Sequence, residues 1–123
     1  MRVGDIMAVD VPTIEPSASI SEAAARMKSE NSRSLFVTSE GRLIGLITDS
    51  DILWLIANGG DPLKRRVWEL MSATPPSASP EADISELVHL MNRHGVRWVA
   101  VVEDGQLVGA VSVANVVASL ELT

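Results

Sequence analysis

The chain has 123 residues, 46% hydrophobic and 21% charged, with a formal net charge of −6. Such a composition belongs to a folded globular protein rather than a disordered one. The acidic balance argues against duplex nucleic acid as a main partner, because that affinity rests on neutralising phosphates. The absence of cysteine excludes disulfides, thiol chemistry and thiolate metal sites.

The N-terminal stretch "MRVGDIMAVD" lacks an apolar core of signal-peptide length, and no run reaches the roughly 18 residues of a membrane span. A soluble, cytoplasmic protein is the expectation.

In chain order, the first elements are a short helical turn, "VGDIM", and an extended Pro-bearing stretch, "VPTIEP". An amphipathic helix follows, opened by Ser19-x-x-Glu22 as a capping box ahead of Ile20, Ala23, Ala24 and Met27. Two strands, "SLFVT" and "RLIGLIT", flank a tight turn at Glu40-Gly41, and a helix, "DSDILWLIAN", closes at Gly59-Gly60. The order then starts again. A gap-free shift that lays Val3 on Val67 also lays Met7 on Met71, Pro16 on Pro80, Glu22 on Glu86, Arg33 on Arg97, and Gly41 and Gly45 on Gly105 and Gly109. The second copy reads "VWELM", "PPSASP", a helix opened by Asp83-x-x-Glu86 and capped by Gly95, strands "RWVAVV" and "QLVGAVS" around Asp104-Gly105, and a last helix "VANVVASLEL". Residues 1–60 form repeat one, 61–66 a linker and 67–123 repeat two. One copy alone buries too little surface to be comfortable, so the two should pack on each other as an α+β pair with pseudo-twofold symmetry.

The run "GLITDSDIL" joins a strand to a helix through Thr48-x-x-Asp51, and Ser112-x-x-Asn115 holds the same register in copy two. A threonine there is a good N-cap, and an acid in the first turn suits the helix dipole. The same junction also presents free backbone N–H groups outward, which is an anion site by construction. A hydroxyl there can bond a phosphate oxygen, and a carboxylate one turn on can accept from a ribose diol. Cap and ligand site both remain open on this pattern.

Taken together, "SRSLFVTSEGRLIGLITDSDIL" and "GVRWVAVVEDGQLVGAVSVANVV" resemble a tandem pair of cystathionine-β-synthase (CBS) domains, the Bateman module, over nearly the whole chain. The resemblance implies two βαββα units and two clefts related by the pseudo-twofold axis. It also implies an adenosine ligand there: AMP, ADP, ATP or S-adenosylmethionine. By that resemblance Asp51 and Asn115 face ribose, and Thr48 and Ser112 face phosphate or ribose. Arg33 and Arg97 match the family's basic position for phosphates. Thr13-Ile14 and Ser77-Ala78 match the extended segment flanking adenine, with Val11 and Pro75 helping to wall the base. Where the family often has Arg within the motif, this chain has Ser50 and Ala114. The uncharged Asn115 should hold a ribose diol less well, which ranks the Asp51 cleft as the better site.

His89 and His94 do not fit the spacing of roughly three or four residues that pairs zinc ligands on a helix, and read as surface or partly buried side chains. Lys64, Arg65 and Arg66 read as solvated linker. "ILWLI" is apolar all round a helix, hence buried on more than one side, and its excess, including Trp54, suits a homodimer interface. No Ser-His-acid set and no phosphate-cradling glycine loop is present, so no enzyme activity is expected. A regulatory module sensing an adenosine ligand leads. The rival is a ligand-free dimerisation or scaffold module in which Thr48-x-x-Asp51 is only a cap.

Overall fold

The computed structural model describes residues 1–73 and 75–121. They form two compact units, one of residues 12–74 and the other of residues 1–11 with 75–123.

In the unit of residues 12–74, β1 (Thr13–Ile14) lies parallel to β2 (Ser34–Ser39), which pairs antiparallel with β3 (Arg42–Thr48). Helix α2 (Ile20–Glu30) connects β1 to β2, α3 (Asp49–Ala57) follows β3, and the turn-length α4 (Val67–Leu70) closes the unit. The hairpin turns at Glu40 and Gly41, with φ of 52° and 81°. Both residues take the left-handed conformation that a two-residue turn needs to match strand twist. Alternation then divides the sheet. Leu35, Val37 and Ile47 point into a core with Ile20, Met27 and Leu55, leaving the intervening positions on the opposite face.

The other unit repeats this plan. Its parts are α1 (Val3–Ile6), β4 (Ser77–Ala78), α5 (Ile84–His94), β5 (Trp98–Glu103), β6 (Gln106–Ser112) and α6 (Val113–Glu121). Strand β4 lies parallel to β5, and β5 antiparallel to β6. Val3, Leu87, Met91, Val99, Val101 and Val111 make its core. Asp104 and Gly105 turn the hairpin with φ of 53° and 80°.

The short helical turn at the head of each sequence repeat thus packs with the strands of the other repeat. Val3 N–H donates to the Ala82 carbonyl and Gly4 N–H to that of Pro80, each at 2.9 Å. Val67 and Trp68 make the matching bonds to Ala18 and Pro16, at 2.9 and 3.1 Å. The chain then crosses a glycine. Ala8 bridges Ala110 beside Gly109, and Ser72 bridges Leu46 beside Gly45.

One local expectation differs from the structure. Half of the Ser19-x-x-Glu22 capping box forms, and neither half of the Asp83-x-x-Glu86 one. The Ser19 hydroxyl accepts from Glu22 N–H at 3.1 Å, and Asp83 accepts from Ser85 N–H at 3.0 Å. Distant backbone meets the first helical N–H instead: Ile20 N–H donates to the Arg65 carbonyl and Ile84 N–H to that of Met1, both at 3.0 Å, and Glu22 and Glu86 stay in solvent. The Ser85 hydroxyl, then its N–H, hold the Asp83 carboxyl below its ordinary pKa. In α3 the apolar run divides between core and surface. Leu55 is buried and Ile52 packs against the core, but Leu53, Trp54 and Ile56 are 69%, 58% and 55% exposed. Within its unit the helix has a sheet and α2 on one side only. The basic run 64–66 is exposed, as a solvated linker would be, with Arg65 paired to Glu69 at 2.6 Å.

A Cβ on Gly45 would stand 2.7 Å from the Ser72 carbonyl oxygen and 2.8 Å from the Met71 sulfur; on Gly109 it would stand 2.6 Å from the Ala8 oxygen and 2.9 Å from the Met7 sulfur. Gly45→Ala and Gly109→Ala should each cost about 1–3 kcal/mol by overpacking against backbone that cannot rotate away. Urea unfolding of the single variants checks this, and an unchanged midpoint would show that the crossing segment yields.

Candidate ligand site

Register decides which predicted residues share a face. In β2 and β3, Ser34 stands opposite Thr48, so both side chains leave the sheet on the same side. Thr13 pairs with Phe36, which places Thr13 on that side too, two strands across from Thr48, or about 10 Å in the hydrogen-bonding direction. Ile14 points the other way and is 8% exposed within the core. What Ile14 offers a ligand is therefore its backbone. The second unit is alike: Trp98 stands opposite Ser112, Ser77 pairs with Ala100, and Ala78 packs on the core side.

Each motif caps its helix. The Thr48 hydroxyl accepts from Asp51 N–H at 3.3 Å, and Asp51 Oδ2 accepts from Thr48 N–H at 2.8 Å and from the Thr48 hydroxyl at 3.1 Å. That is a complete capping box. All the bonds to the carboxylate fall on Oδ2, so among the described residues Oδ1 accepts none. A ribose hydroxyl can use it without dismantling the cap. In the other motif Ser112 Oγ accepts from Asn115 N–H at 3.1 Å, and Asn115 Oδ1 accepts from Ser112 N–H at 3.0 Å. Because a backbone N–H requires an oxygen, the amide's NH2 is turned away from the cap. The first motif presents an acceptor where the second presents a donor.

The two arginines sit alike and are charged differently. Asp49 N–H donates to the Arg33 carbonyl at 2.9 Å, and Val113 N–H to the Arg97 carbonyl at 3.0 Å, so each arginine adjoins the first helical residue of its motif. Arg33, with its side chain 94% exposed, lies 3.8 Å from the Asp49 carboxylate. Arg97 has valine there. A cavity of about 550 Å³ beside Arg33 is lined by Met27, Lys28, Asp49 and Ile52 among others. A smaller one of about 260 Å³ lies along β1, where Arg26 donates to the Thr13 carbonyl at 3.1 Å.

Thr13, Ile14, Arg33, Thr48 and Asp51 all belong to the unit of residues 12–74; Val11, Pro75, Ser77, Ala78, Arg97, Ser112 and Asn115 belong to the other. Val11 and Pro75 are half-buried and lie outside the strands. Trp98, 45% exposed on the Ser112 face, is the residue that sequence reasoning passed over. Its position directly after Arg97 and at the head of a strand was the available signal. His89 and His94 are exposed on α5, and no group of three or more metal-ligating side chains gathers among the described residues.

A duplicated α+β module with a hydroxyl-Asx cap at each strand-to-helix junction is the arrangement that fold and site define. The CBS domain family matches residues 3–58 and 67–121; the chain belongs to that family and is a tandem CBS pair. Three solved structures show its likeness. Hypoxic Response Protein I, crystallised with two coordinated zinc ions, is 30% identical with a TM-score of 0.86, covering 96% of this chain and 98% of that one. CBSX2 in complex with AMP is 25% identical with a TM-score of 0.86, covering 98% and 97%. The CBS domain pair of MJ0100, in complex with 5′-methylthioadenosine and S-adenosyl-L-methionine, is 26% identical with a TM-score of 0.83, covering 98% and 96%.

Without any ligand, Thr48→Ala and Ser112→Ala should each lose about 1 kcal/mol of stability as caps, whereas Arg33→Ala and Arg97→Ala on the surface should stay within about 0.5 kcal/mol. Chemical denaturation of the four variants measures both.

Proposed function

We propose that this CBS pair is a non-enzymatic regulatory module. It binds an adenosine ligand, AMP, ADP or ATP, at its two motifs and signals through conformational or oligomeric change. The observation that carries this reading is the repeated site: each unit sets a hydroxyl on the sheet face opposite its core, an Asx side chain in the first turn of the helix that follows, and an arginine whose carbonyl accepts from the first helical residue. The AMP and the methylthioadenosine and S-adenosylmethionine complexes of CBSX2 and MJ0100 support an adenosine compound as the ligand class. Ligand action requires different affinity for two states. The exposed side chains Leu53, Trp54 and Ile56 on α3, and Val117 and Leu120 on α6, support a homodimer through these helices as the element that responds. The second reading, a ligand-free scaffold, is favoured by the complete Thr48–Asp51 box, which leaves the cap satisfied without any ligand. No helix of the described residues is long and apolar enough to cross a membrane, which accords with a cytoplasmic module.

Thermal unfolding with AMP, ADP, ATP and S-adenosylmethionine separates the two readings. At about a hundred times its dissociation constant a ligand adds roughly 2.7 kcal/mol, several degrees for a domain of this size. The Asp51→Ala/Asn115→Ala double variant should lose that shift. No shift in nucleotide-stripped wild type leaves the scaffold reading standing. For the dimer, Leu53→Lys/Trp54→Lys should halve the mass measured by light scattering; an unchanged mass would remove α3 from the interface.

A further inference from the structure

Resting on the ligand reading above, we infer that the two motifs divide adenosine compounds by charge. The Arg97–Trp98–Ser112–Asn115 site takes the phosphorylated one, and the Thr48–Asp51 site takes one without negative charge. This inverts the ranking that Asp51 against Asn115 alone would give.

The argument compares equivalent positions. The same backbone bond, from the first helical residue to the arginine carbonyl, is 2.9 Å in one unit and 3.0 Å in the other, so differences in side-chain charge are not differences in frame. In the first motif the cation Arg33 lies 3.8 Å from the Asp49 carboxylate, and the same first helical turn carries a second acid, Asp51, bonded to Thr48. In the second, Val113 and Asn115 replace both acids, and Arg97 forms no ion pair among the described residues. Fixed charge of one sign raises the local concentration of the opposite sign, so a phosphate is favoured beside Arg97 and opposed beside Asp49 and Asp51. The last helical turn before each arginine adds to the contrast, with Arg93 and His94 in α5 against Lys28 and Glu30 in α2.

The base end differs too. Trp98 shares a face with Ser112, its indole about half exposed, where the first unit has only Ser34 opposite Thr48. An accessible aromatic face stacks on a nucleobase without regard to sequence. The edge carbonyl of Thr13 is occupied by Arg26. Leu90 holds the corresponding place in α5 and offers no such donor to Ser77.

Calorimetric titration of the full chain with AMP and with adenosine, which differ only in the phosphate, tests the division. Wild type should bind one AMP per chain. Arg97→Gln should weaken AMP about tenfold or more and leave adenosine within about twofold, and Arg97→Lys should restore most of the loss. Trp98→Leu should weaken AMP about tenfold, and AMP should change the fluorescence of a variant keeping Trp98 as its sole tryptophan. Asp49→Val/Asp51→Asn should raise the AMP count towards two. AMP that fills both motifs equally, or is lost with Arg33→Gln but not with Arg97→Gln, overturns the division and leaves the ligand reading intact. Failure of both compounds to bind overturns both.

Discussion

The passage of one chain segment across a glycine is the constraint on which the rest of each unit depends. The Ser72 and Ala8 carbonyls lie where a side chain on Gly45 or Gly109 would have to be. Because that side chain is missing, the segment can bridge Leu46 or Ala110 and anchor the short helix behind it against Ala18 or Ala82. The glycine stands three residues before Thr48 in one copy and before Ser112 in the other. The crossing and the strand end that carries the motif are therefore held within one turn of pleat.

Cap and ligand site share atoms, but they do not compete for all of them. A buried or half-buried polar group must be satisfied whether or not a ligand is present, and Thr48–Asp51 meets that requirement internally. A carboxylate has acceptor capacity beyond the two bonds it makes here, and both of them fall on Oδ2. In Ser112–Asn115 the amide makes one bond through its oxygen and keeps its donors. A structural role in the empty protein and a binding role in the filled one are thus compatible, and the cap preorganises the very groups a ribose would meet.

Much of the fold was legible because duplication gives every signal twice. The Asp104-Gly105 and Glu40-Gly41 turns, the left-handed Gly95 and the two-period alternation in "RLIGLIT" each dictate local backbone, and local backbone is what sequence patterns encode. The exchange of the short helices was not legible, since "VGDIM" and "VWELM" satisfy their hydrogen bonds with residues far along the chain, and nothing local distinguishes one partner from another. The bonds from Ile20 to Arg65 and from Ile84 to Met1 were hidden for the same reason, since their partners lie far along the chain. For α3 the sequence marks an apolar excess without naming its environment. An all-apolar run implies coverage, but it does not say that the cover comes from within the same unit. At the site, the motif residues were legible by register, whereas Trp98 was hidden because its meaning depends on the residue paired with it across the hairpin.

Alternation also explains how the two copies diverged without losing the fold. Positions that build the core, Leu35, Val37 and Ile47 in one copy and Val99, Val101 and Val111 in the other, lie on one face and stay apolar. Ser34 against Trp98 and Thr48 against Ser112 lie on the other, while at the helix entrance the exposed Asp49 stands where Val113 packs partly against its core. An exchange such as Ser34 for Trp98 changes stacking at the motif while leaving core volume untouched, so it escapes the cost that makes most buried changes destabilising. Two sites of common geometry can then acquire opposite electrostatic character within one scaffold. The differences between the copies, more than their likeness, set the charge and stacking character of each motif.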